Sequence, residues 1–153
     1  MANTYSQLTI HVIIAVQSRA NLIKKDFQQD VYKYMTGIVK NKGHKLLSIG
    51  GVADHIHLVI GLNPSMAISD LVRDIKNNST NFINDKKWLS GKFYWQEGYG
   101  VFSYSKSQRN DIIRYVENQE EHHKQSTFRE EYLKILDRFE VDFDDKYIFE
   151  FFD

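Results

Sequence analysis

The chain has 153 residues, 42% of them hydrophobic and 14% aromatic, which is enough to fill one core and short for two domains. It contains no cysteine, which excludes a disulfide scaffold, a thiolate zinc site and a cysteine nucleophile. No apolar run approaches the roughly 20 residues that a membrane span needs. We therefore expect one domain over residues 1–153, with a core at about 4–125, in a soluble cytoplasmic protein.

The formal net charge is zero, but the charges are unevenly distributed. Residues 137–153 hold seven acidic residues against Arg138 and Lys146, a net charge of −5, so the remainder carries +5. This distribution is compatible with an ordinary mixed surface that ends in an acidic tail. It is equally compatible with a basic face that binds nucleic acid.

The first half of the chain predicts a strand, a helix and a hairpin. Residues 8–16 alternate between two faces, one of them fully apolar, which predicts a strand. Asp26 can cap a helix that Gly43 would end. Residues 45–52 and 55–62 are apolar and β-prone with a two-residue connection, which predicts a hairpin.

The second half predicts another helix and strand, followed by further helices. We expect a bulge at Gly50-Gly51 within the hairpin described above. After the hairpin, a helix should open at residues 63–65 and a strand should span residues 99–104. A third helix should start at Ser105 or Ser107 and run to about Lys124. A fourth should be capped by Thr127 or Ser126, and residues 141–152 should dock as a strand or an arm.

This order is β-α-β-β-α-β followed by helices, an α+β chain with the split βαβ arrangement of a ferredoxin-like sheet. The C-terminal helix and acidic tail occupy about residues 126–153. One face of such a sheet is covered by helices. We expect the other face to be free for ligands or a second subunit.

His55 and His57 are two residues apart on a predicted strand, so their side chains should project from the same face. Two neutral imidazoles held on a rigid strand form half of a metal site. The alternative is that one or both are ordinary surface histidines.

Tyr115 and Gln119 are four residues apart on the predicted third helix and should share one of its faces. His122 and His123 follow near that side one turn later. Taken alone, a tyrosine and a glutamine at this spacing are ordinary structural residues.

In combination, the His-hydrophobic-His pair and the later Tyr-x-x-x-Gln resemble the HUH single-tyrosine transposases of the smallest bacterial insertion sequences and their repeat-associated relatives. The resemblance spans nearly the whole chain, from the opening strand to Tyr132. It is carried by three further stretches, Asp54-His55-Ile56-His57-Leu58, Trp95-Gln96-Glu97-Gly98-Tyr99 and Asn118-Gln119-Glu120-Glu121-His122-His123.

The resemblance implies a transposase that cleaves and rejoins single-stranded DNA through a 5′-phosphotyrosine, with DNA hairpins from element ends as substrate. It implies Tyr115 as nucleophile and His55, His57 and the amide oxygen of Gln119 as metal ligands. It also implies a homodimer in which the tyrosine helix can complete the partner's site, with residues 103–108 as the hinge.

The residue types agree with that chemistry. Two imidazoles and an amide oxygen, with no thiolate, suit Mg²⁺ or Mn²⁺ and leave coordination positions open. Exchange of a phosphate ester needs no nucleotide cofactor, and the sequence has no phosphate-binding glycine loop. A phenol must be activated before it attacks, and His11, His122 and His123 are candidates for that accessory role.

Basic and aromatic residues provide candidate DNA contacts. Arg73, Lys76, Lys106 and Arg109 are expected at phosphates, together with further surface lysines. Unpaired bases can stack on aromatic rings, so Trp95 and Tyr99 are candidates, although core packing is an equally good interpretation.

Two alternatives remain at this point. The stretch 98–104 partly resembles the aromatic strand of an RNA-binding module, but strand alternation places Tyr99 and Phe102 on opposite faces. A domesticated HUH nickase would have the same chemistry and a different DNA target.

Overall fold

The computed structural model describes residues 3–152, which fold into a four-stranded sheet with five helices. The strands are β1 (Thr9–Ala15), β2 (Lys45–Val52), β3 (His55–Gly61) and β4 (Gly100–Tyr104). The helices are α1 (Lys25–Asn41), α2 (Ile68–Lys86), α3 (Arg109–Glu117), α4 (Gln119–His122) and α5 (Phe128–Arg138). Single 3-10 turns lie at Arg19–Asn21 and Lys106–Gln108.

The strand order is β2-β3-β1-β4, and every neighbouring pair is antiparallel. This is the order of a ferredoxin-like sheet, so the predicted α+β class and β-α-β-β-α-β arrangement are confirmed. β1 and β3 occupy the centre, with His57 opposite Ile13. The backbones of β1 and β3 are therefore hydrogen-bonded to a neighbouring strand on both sides, which fixes the positions of their side chains.

One face of the sheet packs against α1 and α2. The side chains that alternate onto this face, such as Val12, Ile14, Ile56 and Leu58, are at most 1% exposed. They form one apolar cluster with residues of both helices, including Met35 and others. This half of the core follows the alternation seen in the sequence.

The opposite face is also covered, contrary to the expectation of a free face. Ile13, Val59 and Phe102 of the sheet pack with residues of α3 and α5 and with Phe149 of the C-terminal tail. The apolar face of α5 has to be buried, and it packs against the side of the sheet that α1 and α2 leave open. His11, His55 and His57 point into this second layer.

The predicted third helix is interrupted. The sequence predicts a helix through about Lys124, but α3 ends at Glu117 and a separate short α4 begins at Gln119. At Asn118 the backbone N–H is shared between the carbonyls of Arg114 and Tyr115, at 3.1 and 3.3 Å, and the turn tightens. Asparagine is a weak helix former, which allows the break.

The predicted bulge at the glycine pair is in the wrong place. The register shift of the β2–β3 ladder lies between Leu46 and Ser48. Gly50 instead permits the close approach of α3, because a Cβ atom on Gly50 would collide with the carbonyl of Val116. Gly50 therefore allows α3, the helix that carries Tyr115, to pack closely against β2.

Other boundaries shift by a few residues. α2 begins at Ile68, after residues 63–65, and β4 begins at Gly100. The predicted cap of the last helix is correct: Thr127 Oγ1 accepts a hydrogen bond from the Glu130 N–H at 3.1 Å. Within the described residues, no helix has the length and apolar character needed to cross a membrane.

The C-terminal tail docks as an arm and forms no strand in its described part. Gln96 fixes it by accepting from the Glu150 N–H at 2.7 Å and donating to the Glu150 carbonyl at 2.8 Å. Phe149 is buried against Phe128 and Tyr132 of α5. The arm thus helps to hold α5 on the sheet.

Candidate active site

His55 and His57 of β3 are both fully buried and face α3 and α5. The Asp54 carboxylate lies 2.7 Å from Nδ1 of His55, and it accepts the N–H of that nitrogen. This arrangement leaves the lone pair on Nε2 of His55 directed into the site, as in metal centres where a carboxylate orients a histidine ligand. Nδ1 of His57 lies 2.6 Å from Nε2 of His11.

Glu131 of α5 also lies in this site, although it is not among the site residues predicted from the sequence. It is 2% exposed, and its Oε1 lies 3.2 Å from Nε2 of His55 and 3.2 Å from Nε2 of His57. A signal for it exists in the sequence. Once Thr127 fixes the start of α5, Glu131 falls on the apolar stripe formed by Phe128 and Ile135, where an unpaired acid would be costly.

Tyr115 and Gln119 reach the same carboxylate. The Tyr115 hydroxyl donates to Glu131 Oε2, and Gln119 Nε2 donates to the same oxygen at 2.9 Å. The amide oxygen of Gln119 lies 3.2 Å from Nε2 of His55. The four residues expected at the site, His55, His57, Tyr115 and Gln119, therefore meet within one chain.

The accessory histidines border this cluster. His123 Nε2 lies 3.0 Å from Gln119 Oε1 and 3.1 Å from Glu131 Oε1, and His122 Nε2 lies 3.3 Å from the Tyr115 hydroxyl. His11 lies beneath the site, fully buried. All three candidates named from the sequence thus contact a residue of the cluster.

The pKa values reflect burial in competition with mutual contacts. Burial opposes ionisation of Glu131, but His57 and the other imidazoles around it hold its pKa well below the usual value. Burial lowers the pKa of His57 to about 4. Burial also lowers the pKa of His55, but the carboxylates of Asp54 and Glu131, which accept hydrogen bonds from its ring, outweigh burial and raise this pKa.

The tyrosine is held as a neutral phenol. Burial raises the pKa of Tyr115 above its ordinary value, and the negative charge of Glu131 raises it further. A phenol in this position needs a nearby positive charge before it can lose its proton at neutral pH.

The donor atoms fit a divalent ion. One nitrogen each of His55 and His57 and one oxygen of Glu131 lie within 4.8 Å of one another, and all three residues are buried. In a metal centre with bonds of about 2.1 Å, adjacent ligand atoms are roughly 3.0–3.4 Å apart, which matches the 3.2 Å separations here. A second group, His122, His123 and Glu131, shares the same carboxylate.

A cleft between α3 and α5 connects this cluster to solvent. Its volume is about 680 Å³, and Tyr115, His122 and Glu131 are among the residues that line it. Lys134 and Arg138 of α5 line its wall. Tyr115 therefore borders an open cleft that is lined by these two basic residues and by the acidic residues Asp111 and Asp137.

The predicted DNA contacts are scattered, and two of the basic residues are already paired within the protein. Arg73 is bonded to Asp70 and Asp74, both within 3.2 Å. Lys76 donates to the carbonyls of Gln96 and Gly98, at 2.8 and 2.5 Å. Lys106 is exposed and Arg109 is partly exposed.

The two predicted aromatic DNA contacts, Trp95 and Tyr99, differ in their exposure to solvent. Trp95 is 8% exposed and donates to Ser79 Oγ at 3.0 Å, so it belongs to the core and offers no ring face for base stacking. Tyr99 is partly exposed. The rings of Phe102 and Tyr104 lie under Phe139, which argues against the RNA-binding strand considered above.

Comparison with known families matches residues 4–119 to the model described as "Transposase IS200 like". This match covers well over half of the sequence. The chain belongs to the IS200-like transposase family. The resemblance recognised from the sequence is thereby confirmed.

The chain is also similar to one individual transposase in sequence and to two solved structures in fold. The ISDra2 transposase TnpA of Deinococcus radiodurans is 25% identical over 118 residues, which cover 74% of this chain and 84% of that protein. A candidate transposase structure from Deinococcus radiodurans has a TM-score of 0.62 at 24% identity and covers 78% of this chain and 95% of its own. A REP-associated tyrosine transposase bound to a REP hairpin has a TM-score of 0.56 at 13% identity, covering 76% and 68%.

The IS200-like match includes four of the five residues that meet at the site. His55, His57, Tyr115 and Gln119 fall inside residues 4–119, whereas Glu131 lies beyond them. The carboxylate at the centre of the cluster thus comes from a helix outside the matched part of this transposase.

Proposed function

We propose that this transposase cleaves and rejoins single-stranded DNA by transesterification, with Tyr115 as nucleophile and Mg²⁺ or Mn²⁺ held by His55, His57 and Gln119. The observation that carries the proposal is the meeting of the Tyr115 hydroxyl with the carboxylate that also contacts both histidines. A nucleophile beside a cluster of metal-ligating atoms is the arrangement that metal-assisted attack on phosphorus requires.

Cleavage exchanges one ester for another. The Tyr115 Oη–P bond forms as the P–O3′ bond breaks, so the phenol loses a proton and the departing strand end gains one as its 3′ hydroxyl. The DNA 5′ phosphate stays on the tyrosine. In the second step a 3′ hydroxyl attacks the same phosphorus, the P–Oη bond breaks and the phenol is restored, so no nucleotide energy source is consumed.

Each protein group has a role that follows from its contacts. Glu131 Oε2 accepts the Tyr115 hydrogen bond and so directs the lone pairs of Oη toward the α3–α5 cleft. His55 and Gln119 orient donor atoms toward the same point. The metal, when bound, supplies positive charge that favours the phenolate and neutralises the phosphate under attack.

The proposed substrate is a single-stranded DNA hairpin from an element end. The support is family membership together with the likeness in fold to a tyrosine transposase that is bound to a REP hairpin. Such a reaction would take place in the cytoplasm. Lys134 and Arg138 flank the path to Tyr115 and carry the charge needed to meet phosphates.

A homodimer is a separate proposal that comes from the family resemblance. In the present arrangement Tyr115 already meets the histidines of its own chain, so a dimer would act on DNA binding or on strand exchange. Sedimentation at micromolar protein concentration, with and without a hairpin oligonucleotide, measures this. A monomer under both conditions would contradict it.

Labelled hairpin oligonucleotides test the chemistry. We expect the protein with Mn²⁺ to form a covalent adduct that survives denaturing electrophoresis and retains a label placed on the 3′ side of the nick. Tyr115→Phe should abolish the adduct. Tyr147→Phe, at an exposed tyrosine, is the matched control and should leave it unchanged. Hairpin binding without an adduct in any divalent metal would overturn the proposal.

A further inference from the structure

We infer that Glu131 is itself a ligand of the metal, so that α5 adds a carboxylate to the two histidines and the Gln119 amide. The inference deepens the proposed function and rests on it. It adds a residue from outside the family-matched range 4–119 to the ligand set.

The geometry of Oε1 supports a coordinating role. This oxygen lies 3.2 Å from Nε2 of His55 and 3.2 Å from Nε2 of His57, and Gln119 Oε1 also lies 3.2 Å from Nε2 of His55. Such distances are those between neighbouring ligands around one ion, as noted above. Both imidazoles also have their other nitrogen, Nδ1, bonded to a protein group, which leaves Nε2 for the metal.

The burial of the carboxylate calls for a cation. Glu131 is 2% exposed, and within residues 3–152 every ion-pair partner of its carboxylate is a histidine. A buried carboxylate is costly unless positive charge and hydrogen bonds compensate it, and the hydrogen bonds from Tyr115 and Gln119 reach only its Oε2 atom. No lysine or arginine in that part of the chain lies within ion-pair distance of it, so a divalent ion is the cation that fits.

The two carboxylate oxygens have separate tasks. Oε1 faces the histidines, whereas Oε2 accepts hydrogen bonds from Tyr115 and from Gln119 Nε2. The bond from Gln119 Nε2 turns the amide so that its oxygen faces His55. One residue therefore supplies a ligand, orients a second ligand and holds the nucleophile beside both.

This donor set predicts a metal preference. A carboxylate suits Mg²⁺ and Mn²⁺ equally, but two imidazole nitrogens favour first-row transition ions over Mg²⁺. We therefore expect Mn²⁺ to bind this centre more tightly than Mg²⁺.

Calorimetric titration of the metal-free protein with MnCl₂ tests the assignment. Glu131→Gln should weaken Mn²⁺ binding by more than about tenfold, since a neutral amide replaces a charged ligand. Glu130→Gln is the matched control, because it is the same substitution on the adjacent exposed residue and glutamine preserves the capping box. The control should bind Mn²⁺ within about twofold of the unaltered protein.

Thermal unfolding of each variant shows whether it is folded. If Glu131→Gln does not fold, Glu131→Asp keeps the charge and withdraws the oxygens by one methylene, and it should weaken Mn²⁺ binding in the same direction. A folded Glu131 variant that binds Mn²⁺ as tightly as the Glu130→Gln control would overturn the inference.

The two hypotheses fail in different ways. If the unaltered protein forms the DNA adduct while Glu131→Gln binds Mn²⁺ normally, the transposase chemistry stands and the ligand assignment is wrong. If Glu131→Gln loses Mn²⁺ but the unaltered protein never forms an adduct, the metal centre stands and the proposed function is wrong.

Discussion

Nε2 of His11 lies 2.6 Å from Nδ1 of His57, and the two rings stack with their centroids 4.9 Å apart. Only one of these nitrogens can carry the shared proton. For Nε2 of His57 to present a lone pair to a metal, Nδ1 of His57 must be the donor and His11 the acceptor. Within residues 3–152, Nδ1 of His11 has no hydrogen-bond partner, so the His11 ring forms a hydrogen bond to His57 alone.

We predict that His11→Leu weakens metal binding by about 10- to 100-fold, the usual effect of losing a residue that orients a ligand. Leucine is apolar and of similar size, and it suits a site packed between Phe102 and Tyr104. Calorimetric titration with Mn²⁺ measures the change. His44→Leu, at a buried histidine that contacts Asn63 away from the cluster, should bind Mn²⁺ normally. Equal affinities in both variants would exclude an orienting role.

We predict that the metal-free protein loses stability as the pH falls from about 6.5 to 4. Burial lowers the pKa of His57 to about 4 and holds the pKa of His11 well below its usual value. In this range His57 takes up a proton mainly after unfolding, and the lowered pKa of His11 acts in the same direction, which favours the unfolded state as the pH falls. For His57 the shift corresponds to about 3 kcal/mol in the free energy of unfolding.

His55 acts in the opposite sense and at higher pH. Burial lowers the pKa of His55, but Asp54 and Glu131 more than compensate and leave it raised. Its contribution to stability is present below pH 6.5 and is lost as the pH rises through its folded pKa. Urea unfolding between pH 4 and 9 should therefore show a maximum near neutrality. His57→Asn should flatten the acid side, and an unchanged slope in that variant would contradict the assignment.

The ferredoxin-like sheet and the positions of His55 and His57 could be predicted because both follow from alternation along strands. Side chains that are two residues apart on a strand must project from the same face of the sheet. Tyr115 and Gln119 could be paired for a similar reason, and they meet Glu131 even though the helix breaks at Asn118. Local spacing was sufficient in each case.

The sequence can place Glu131 on the apolar stripe of α5, but neither the covered face nor the contact of Glu131 with the site could be predicted, because both depend on where α5 docks. A capping box fixes the phase of a helix but not the surface against which it packs. Trp95 illustrates the same limit. Its spacing suits either a stacking ring or a core residue, and only the Ser79 contact decides between them.

We predict that Gly50→Ala destabilises the protein by at least about 2 kcal/mol, because the added Cβ atom would meet the backbone carbonyl of Val116 and force α3 away from β2. Gly37→Ala is the matched control. It lies within α1 with nothing near the new Cβ atom, so it should stabilise by about 0.5–1 kcal/mol. Urea unfolding at pH 7 measures both. Equal stabilities would show that α3 can shift without cost.

We predict that Lys134→Ala and Arg138→Ala weaken hairpin binding and reduce its dependence on salt. Both side chains line the cleft that leads to Tyr115, where a strand undergoing cleavage has to pass. Each lost phosphate contact should lower the slope of log affinity against log salt by about 1. Lys40→Ala, at an exposed residue of α1 that does not line this cleft, removes one positive charge and should leave the slope unchanged. The slopes can be measured by fluorescence anisotropy of a labelled hairpin between about 50 and 200 mM salt. Affinity that depends on phosphate contacts falls steeply over this range. Identical slopes for all three variants would mean that the DNA reaches Tyr115 by another path.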